Sequence, residues 1–246
     1  MDRLIYTAMT GANAATQLTS VLSNNLANAS TNGFRAEMTA YRSVPLEGSG
    51  ASTRVFALEA TTGYKNTAGP AQRTNNTMDA MTQGNSWFSV QGLDGTEAYT
   101  RNGSMQISST GTLVNTSGLP ILSDGGAPID VPPNAELTIG NDGTITAKTA
   151  GQPPNTLGRL KLVTPTAEDP LRRGADGLFR AASGNPLNTD ATAKLQTGAL
   201  EGSNVNSVEA MVGLIQAARQ FENNMKLLTS AESNDKAASQ LLNVQG

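Results

Sequence analysis

Apolar and small residues recur at Leu4, Ala8, Gly11, Ala15, Leu18, Leu22, Asn25 and Ala29, in alternating steps of four and three. That spacing keeps one face of a helix in register. No proline precedes Pro45, and Asn32-Gly33 supplies a left-handed stop, so the pattern predicts a long helix over 4–28. More than half of this seam is Ala, Gly or Asn, and pairing with one partner would bury little area at roughly 25 cal/mol per Å². Small seam residues suit the close approach of several helices; they equally suit packing on the helix's own domain.

A second seam lies at the other end. From Val208 to Leu242 the chain carries Met211, Ile215, Ala218, Phe221, Met225, Leu228, Ala231 and Ala238 at the same spacing, with no proline after Gly202. Residues 203–207, Ser-Asn-Val-Asn-Ser, offer N-caps, and Glu209 puts an acid in the first turn, where the helix dipole favours it. The simplest arrangement pairs the two terminal helices with each other and leaves the middle as an excursion between them. Leu22, Leu26, Ile215, Phe221 and Met225 are the expected contact carriers.

Between the helices the rhythm changes. Residues 36–75 are rich in Thr, Ala, Gly and Ser and read as an extended connector with limited local structure, despite a short apolar piece at Val55-Phe56-Ala57-Leu58. From 76 to 200 the pattern is that of short strands: Trp87-Phe88-Ser89-Val90-Gln91, Ala98 to Arg101, Met105 to Ser108, then pieces around Leu119, Leu137, Leu160, Leu178 and Leu195 to Leu200. Asp-Gly, Asn-Gly, Thr-Gly and Ser-Gly punctuate them every ten to fifteen residues, which predicts antiparallel hairpins in a sandwich or barrel. The expected fold class is therefore α+β. Long N- and C-terminal helices form a coiled coil, with an antiparallel β-rich domain inserted, divided as 1–35, 36–75, 76–200 and 201–246.

Composition narrows the chemistry. Only 37% of the 246 residues are hydrophobic and 4% aromatic, so the core is thin, and charge is sparse at 15%. Polarity comes from Asn, Gln, Ser, Thr and Gly, which hydrogen-bond without repelling copies of the same chain. A net charge of -3 gives no basic face for nucleic acid. With no Cys and no His, disulfides, thiolate catalysis and the commonest metal ligand and general base are absent. Asn141-Asp142-Gly143 resembles a fragment of a calcium loop but lacks its regular acids and closing Glu. The carboxylate pairs Asp94 with Glu97 and Glu168 with Asp169 sit in turn sequences rather than across a cleft. No cofactor, metal or catalytic residue is expected. No apolar run is long enough for a membrane span or a secretory signal, which predicts a cytoplasmic address unless a signal-independent export route is used.

Three motifs then narrow the field. Ser23-Asn24-Asn25-Leu26-Ala27-Asn28 through Thr31-Asn32-Gly33-Phe34-Arg35 resembles the signature of bacterial flagellar rod and hook axial proteins. Ala98-Tyr99-Thr100-Arg101-Asn102-Gly103 resembles that family's central motif. Gly202 to Met211, with Ala218-Arg219-Gln220-Phe221-Glu222, resembles its C-terminal hallmark. All three occur in the family's order across nearly the whole chain. Ile5-Tyr6-Thr7-Ala8-Met9, Gly198-Ala199-Leu200-Glu201-Gly202 and Asp176-Gly177-Leu178-Phe179-Arg180 look most like the proximal rod branch, with the distal rod branch the alternative. Phe221 stands where relatives often carry Tyr; the substitution loses a hydroxyl and keeps the apolar anchor.

The resemblance implies a structural, non-enzymatic axial subunit, exported without a cleaved signal by the flagellar type III apparatus and built into the periplasmic rod of the basal body, which transmits torque. Its implied partners are other rod subunits, proximal and distal, and copies of itself. Its implied assembly interface comprises Leu18, Leu22, Asn24, Asn25, Leu26, Asn28, Asn32, Gly33 and Phe34 near the start. Near the end it comprises Asn204, Val205, Asn206, Val208, Met211, Ile215, Phe221, Glu222, Met225 and Leu228. The thin seams predict termini that are largely unfolded in the free monomer. Two other classes fit parts of the pattern: a wall-cutting hydrolase, which would need a converging acid pair, and a secreted coiled-coil adhesin.

Overall fold

The computed structural model describes residues 2–45 and 55–243. The chain divides into two compact units. Unit 1 takes residues 1–29, 36–65 and 205–246; unit 2 takes 30–35 and 66–204.

Unit 1 is built on two helices, α1 (Asp2–Ala27) and α2 (Ser207–Asn243). α2 starts where the N-cap signal predicts. The Asn206 side-chain carbonyl accepts the amides of Val208 and Glu209 at 3.1 and 3.2 Å, satisfying two of the orphan donors of the first turn. The connector read over 36–75 is more ordered than its composition suggests. β1 (Glu37–Pro45) and β2 (Val55–Tyr64) form an antiparallel two-stranded ribbon, with a register shift at Ala40/Tyr41. An isolated ribbon is marginal in water, and here α1 supports it. The Tyr41 hydroxyl donates to the Ala14 carbonyl (3.0 Å), the Asn25 amide donates to the Glu37 carbonyl (2.9 Å), and the Glu37 amide donates back to the Asn25 side chain (2.8 Å). Nothing in 36–64 alone announces these supports, because they come from polar atoms of α1.

Unit 2 is β throughout. In chain order it carries β3 (Ala71–Arg73), β4 (Ala80–Thr82), β5 (Trp87–Gln91), β6 (Glu97–Thr100), β7 (Met105–Ile107), β8 (Leu113–Asn115) and β9 (Ala135–Ile139). There follow β10 (Thr144–Thr149), β11 (Asn155–Arg159), β12 (Leu162–Val163), β13 (Leu171–Arg173), β14 (Phe179–Ala181), β15 (Leu195–Thr197) and β16 (Ala199–Glu201). A five-stranded sheet runs β12-β5-β6-β14-β13 and a three-stranded sheet β11-β10-β9. β15 pairs with β4, β16 with β3 and β7 with β8. One apolar cluster, from Ala80 through Phe88, Leu113, Ile121, Ile145 and Leu160 to Leu195, fills the interior.

The expected turns recur as a repeated device. In Gly92-Leu93-Asp94-Gly95-Thr96, in residues 140–144 and in residues 174–178, the first glycine amide donates to the carbonyl four residues on. The second glycine's amide donates back to the carbonyl of the first. Each second glycine has a positive φ, between 77° and 86°, that disfavours a side chain. Asp142 belongs to this device: its carboxylate accepts the Thr144 amide and hydroxyl at 3.1 and 2.7 Å, closing the turn. Two details differ from the pattern reading. Asn102-Gly103 does not fold β7 back on β6, since β6 pairs with β5 and β14 while β7 pairs with β8. The single last strand expected over Leu195 to Leu200 is two strands broken at Gly198, which takes φ 70°.

Candidate functional site: the helix pair and the motif cluster

The first seam packs as its spacing predicts from Ala8 onward; the Leu4 side chain lies outside the described residues. Ala8, Ala15 and Asn25 are buried, and Gly11, Leu18, Leu22 and Ala29 are half-buried, while Asn13, Gln17, Ser20 and Asn24 face outward. Asn24 and Asn28 bond each other, Asn28 Nδ2 donating to Asn24 Oδ1 at 2.8 Å, and Asn24 Nδ2 lies 3.3 Å from Glu37 Oε2.

The second seam is rotated over its first part, from Met211 to Met225, while its later members Leu228, Ala231 and Ala238 are half-buried or buried as the spacing predicts. The residues of α2 turned inward are Ala210, Gly213, Leu214, Ala217, Asn224, Leu228 and Ala231. Gly213 meets Leu22, and Gly11 meets Asn224: an added Cβ would fall 3.0 Å from the Leu22 Cδ1 and 3.0 Å from the Asn224 amide nitrogen. The row expected at Met211, Ile215, Ala218, Phe221 and Met225 lies one residue further on, about 100° around the helix. Its members are exposed, Met211 at 51% and Ile215 at 55%. The reason is steric. Where Gly213 faces Leu22 and Gly11 faces Asn224 the contact leaves no space for an added Cβ, and Ala210, Ala217 and Ala231 share that face with Leu214 and Leu228. Val208 and Val212 extend the exposed row, and Leu18 and Leu22 line a groove of about 550 Å³ with Glu209, Val212, Gly213, Gln216, Ala217 and Gln220.

The motif residues form a different kind of site. In unit 2, the first two motifs converge on Glu201, the residue just before the third. Its carboxylate pairs with Arg35 (Nη1 to Oε1, 2.6 Å) and with Arg101 (Nη1 to Oε2, 3.4 Å), all three side chains being at most 1% exposed. The Gly69 amide also donates to Glu201 Oε1 at 2.9 Å. Arg35 further donates to the Thr67 carbonyl (2.6 Å), and Arg101 to the Thr82 hydroxyl (2.5 Å) and the Gly84 carbonyl (2.7 Å). Both guanidinium groups lie over the ring of Trp87, Arg101 at 5.1 Å and Arg35 at 5.8 Å, a favourable placement for cations. Buried charges are costly unless paired and hydrogen-bonded; here two guanidinium groups share one carboxylate, and Arg35 Nε and Nη2 are buried without a hydrogen-bond partner.

Around it the backbone is tightly fitted. Gly33, at φ 72°, donates its amide to the Glu201 carbonyl at 2.7 Å, and a Cβ there would lie 2.4 Å from the Arg101 carbonyl carbon. Phe34 is buried beneath the Arg173 guanidinium at 4.6 Å, and Asn204 Nδ2 donates to the Thr67 carbonyl at 2.8 Å. Gly33, Phe34 and Asn204 thus bind their own chain, Asn32 is half-buried beside them, and Asn206 caps α2. Among the implied interface residues, Val208, Met211, Ile215, Phe221, Glu222 and Met225 offer outward side chains on α2; Leu26 and Val205 are half-buried. Arg35, Arg101 and Glu201 were legible only as motif letters, because pairing between positions so far apart leaves no periodic trace.

The geometry agrees with what comparison finds. Residues 5–35 match the family model described as flagella basal body rod protein, residues 81–147 the flagellar hook protein FlgE/F/G D1 domain, and residues 196–241 the flagellar basal body rod FlgEFG protein C-terminal. The flagellar basal-body rod protein FlgF of Escherichia coli K12 is 45% identical over 99% of this chain and 100% of its own length. FlgF of Salmonella typhimurium LT2 is 44% identical over the same shares. FlgG of Buchnera aphidicola subsp. Schizaphis graminum is 34% identical over 96% of this chain and 98% of its own. From its first helix through its β domain to its last helix, the chain belongs to the flagellar basal-body rod protein family.

Proposed function

We propose that this chain is a structural axial subunit of the proximal rod of the bacterial flagellar basal body, joined to neighbouring rod subunits and to copies of itself through its terminal helices. The observation that carries the assembly reading is the apolar row of α2 left outside after α1 has packed: Val208, Met211, Val212 and Ile215, followed by Phe221 and Met225. Four large apolar side chains in two turns are a cost in water that neighbouring subunits remove, at roughly 25 cal/mol per Å² covered. Bundling of several such helix pairs is the coiled-coil layer expected from the seams. The proximal rather than distal position is favoured by 45% identity to a FlgF against 34% to a FlgG.

The chain acts by stiffness and fit rather than by chemistry, and it reaches the periplasmic rod through the flagellar export apparatus without a cleaved signal. Absent His and Cys agree with a role that needs no proton shuttle or thiolate. Cells from which the chain is deleted will neither swim nor build a hook, and the wild-type chain supplied in trans will restore both. Unimpaired swimming in the deletion strain overturns the proposal.

A further inference from the structure

The Arg35–Glu201–Arg101 cluster joins parts of unit 2 that leave the ribosome, or any exit, at very different times. The apolar cluster of unit 2 draws all its buried members from Ala80 to Leu195; outside it, residues 30–35 bury Phe34 and β16 buries Ala199 and Leu200. Residues 30–35 are held by the Arg35–Glu201 ion pair, by the Gly33 amide on the Glu201 carbonyl and by the Asn204 amide on the Phe34 carbonyl at 3.3 Å, all of which need residues 201–204. The contacts that do not need them are Phe34 beneath Arg173, Gly33 against the 101–102 peptide and Arg35 on the Thr67 carbonyl and the Trp87 face. None of these supplies an anion to Arg35. Without Glu201, Arg101 keeps the Thr82 hydroxyl, the Gly84 carbonyl and the nearer Trp87 face, whereas Arg35 keeps one carbonyl and the farther face, so the loss of the carboxylate falls hardest on Arg35.

We propose that the Arg35–Glu201 pair is a closure lock: unit 2 forms its apolar core from residues 80–195, and the segment 30–35 docks onto it only when β16 delivers the Glu201 carboxylate. A chain emerging N-terminus first therefore keeps the turn after α1 open until residue 201 is free to fold. The pair then fixes that turn on unit 2, with Gly69, Gly202 and Thr67 drawn in by the same step. The inference stands on unit 2 alone and does not depend on the rod assignment.

Amide hydrogen exchange on the full chain tests it, comparing wild type with Glu201→Gln, which keeps shape and removes charge, and with Arg35→Gln. The expected result in both variants is exchange at least roughly tenfold faster at Gly33 and Gly69, with Ser89 and Gln91 of β5 unchanged. In pulse-labelled refolding of the wild-type chain, Ser89 and Gln91 become protected before Gly33. Undiminished protection at Gly33 and Gly69 overturns the lock. So does loss of Ser89 and Gln91 to the same degree, or their protection no earlier than Gly33, since the pair would then be part of the core rather than its closure.

Discussion

Gly33 sits with its α-carbon against the peptide joining Arg101 to Asn102, so close that a Cβ would lie 2.4 Å from the Arg101 carbonyl carbon. The first and second sequence motifs of this chain therefore touch through backbone, with no side chain between them. Their residue types follow from that contact: a glycine at a left-handed φ on one side, and an arginine held in place by Glu201 on the other.

Gly33→Ala therefore carries two penalties, a disfavoured φ of about 1–3 kcal/mol and a backbone clash that requires residues 30–35 to move. Gly103→Ala is as severe by a different route, because its Cβ would fall 1.7 Å from the Ala80 carbonyl oxygen. Denaturant unfolding followed by the fluorescence of Trp87, the chain's single tryptophan, will show both variants less stable by more than about 2 kcal/mol. Gly84→Ala, where nothing lies within 4 Å, will lose less, since it bears the φ penalty alone.

The exposed row on α2 separates stability from assembly. Ile215→Ala with Phe221→Ala removes side chains that are 55% and 40% exposed, so the unfolding free energy of the free chain will change by no more than about 0.5 kcal/mol. Incorporation into the rod, and with it swimming, will be lost. A double variant that swims normally shows that these residues make no subunit contact.

The acid limb of stability has an identifiable contributor. Hydrogen bonds from the Thr192 hydroxyl, the Thr164 hydroxyl and the Thr192 amide hold the Asp190 carboxyl down, from an ordinary 3.8 to about 2. A carboxyl lowered on folding stabilises the folded state above its unfolded value, and that stability fades as pH falls from about 4 toward 2. Asp190→Asn will flatten the dependence of melting temperature on pH in that window while leaving the neutral side unchanged in slope.

α2 will show a gradient of protection. Beyond Ala231 the described residues of the helix are exposed, Ala238 excepted at half-buried, and a helix without a packed face is marginal in water. In the free chain, amides of the last three turns will exchange near the unfolded rate and those of β5 far more slowly. Strong protection along the whole of α2 contradicts the expectation that the C-terminal helix depends on neighbours for its order.

Much of this architecture was legible in the sequence where local chemistry decides the outcome. The helix ends at residues 27 and 207, the Asp-Gly turns and the buried face of α1 follow from periodicity and turn preference. Legibility failed where a partner decides. The packed row of α2 is the one that sets Ala210, Gly213 and Ala217 beside Leu214 and Leu228, because Gly213 must face Leu22, and a hydrophobic count alone picks the larger row beside it. The ribbon of β1 and β2 takes its support from Asn25 and the Ala14 carbonyl, polar groups with no pattern to reveal them. The Arg35–Glu201 pair escaped for the same reason: each residue is unremarkable in its own stretch.

The most direct measurement is the content of isolated hook–basal bodies. A tagged copy of this chain, expressed in its own cell at native level, should co-purify with them at a few copies per particle, far below hook protein. Its absence from the particles, with the chain recovered free in the cytoplasm or the medium, contradicts the account of a rod subunit.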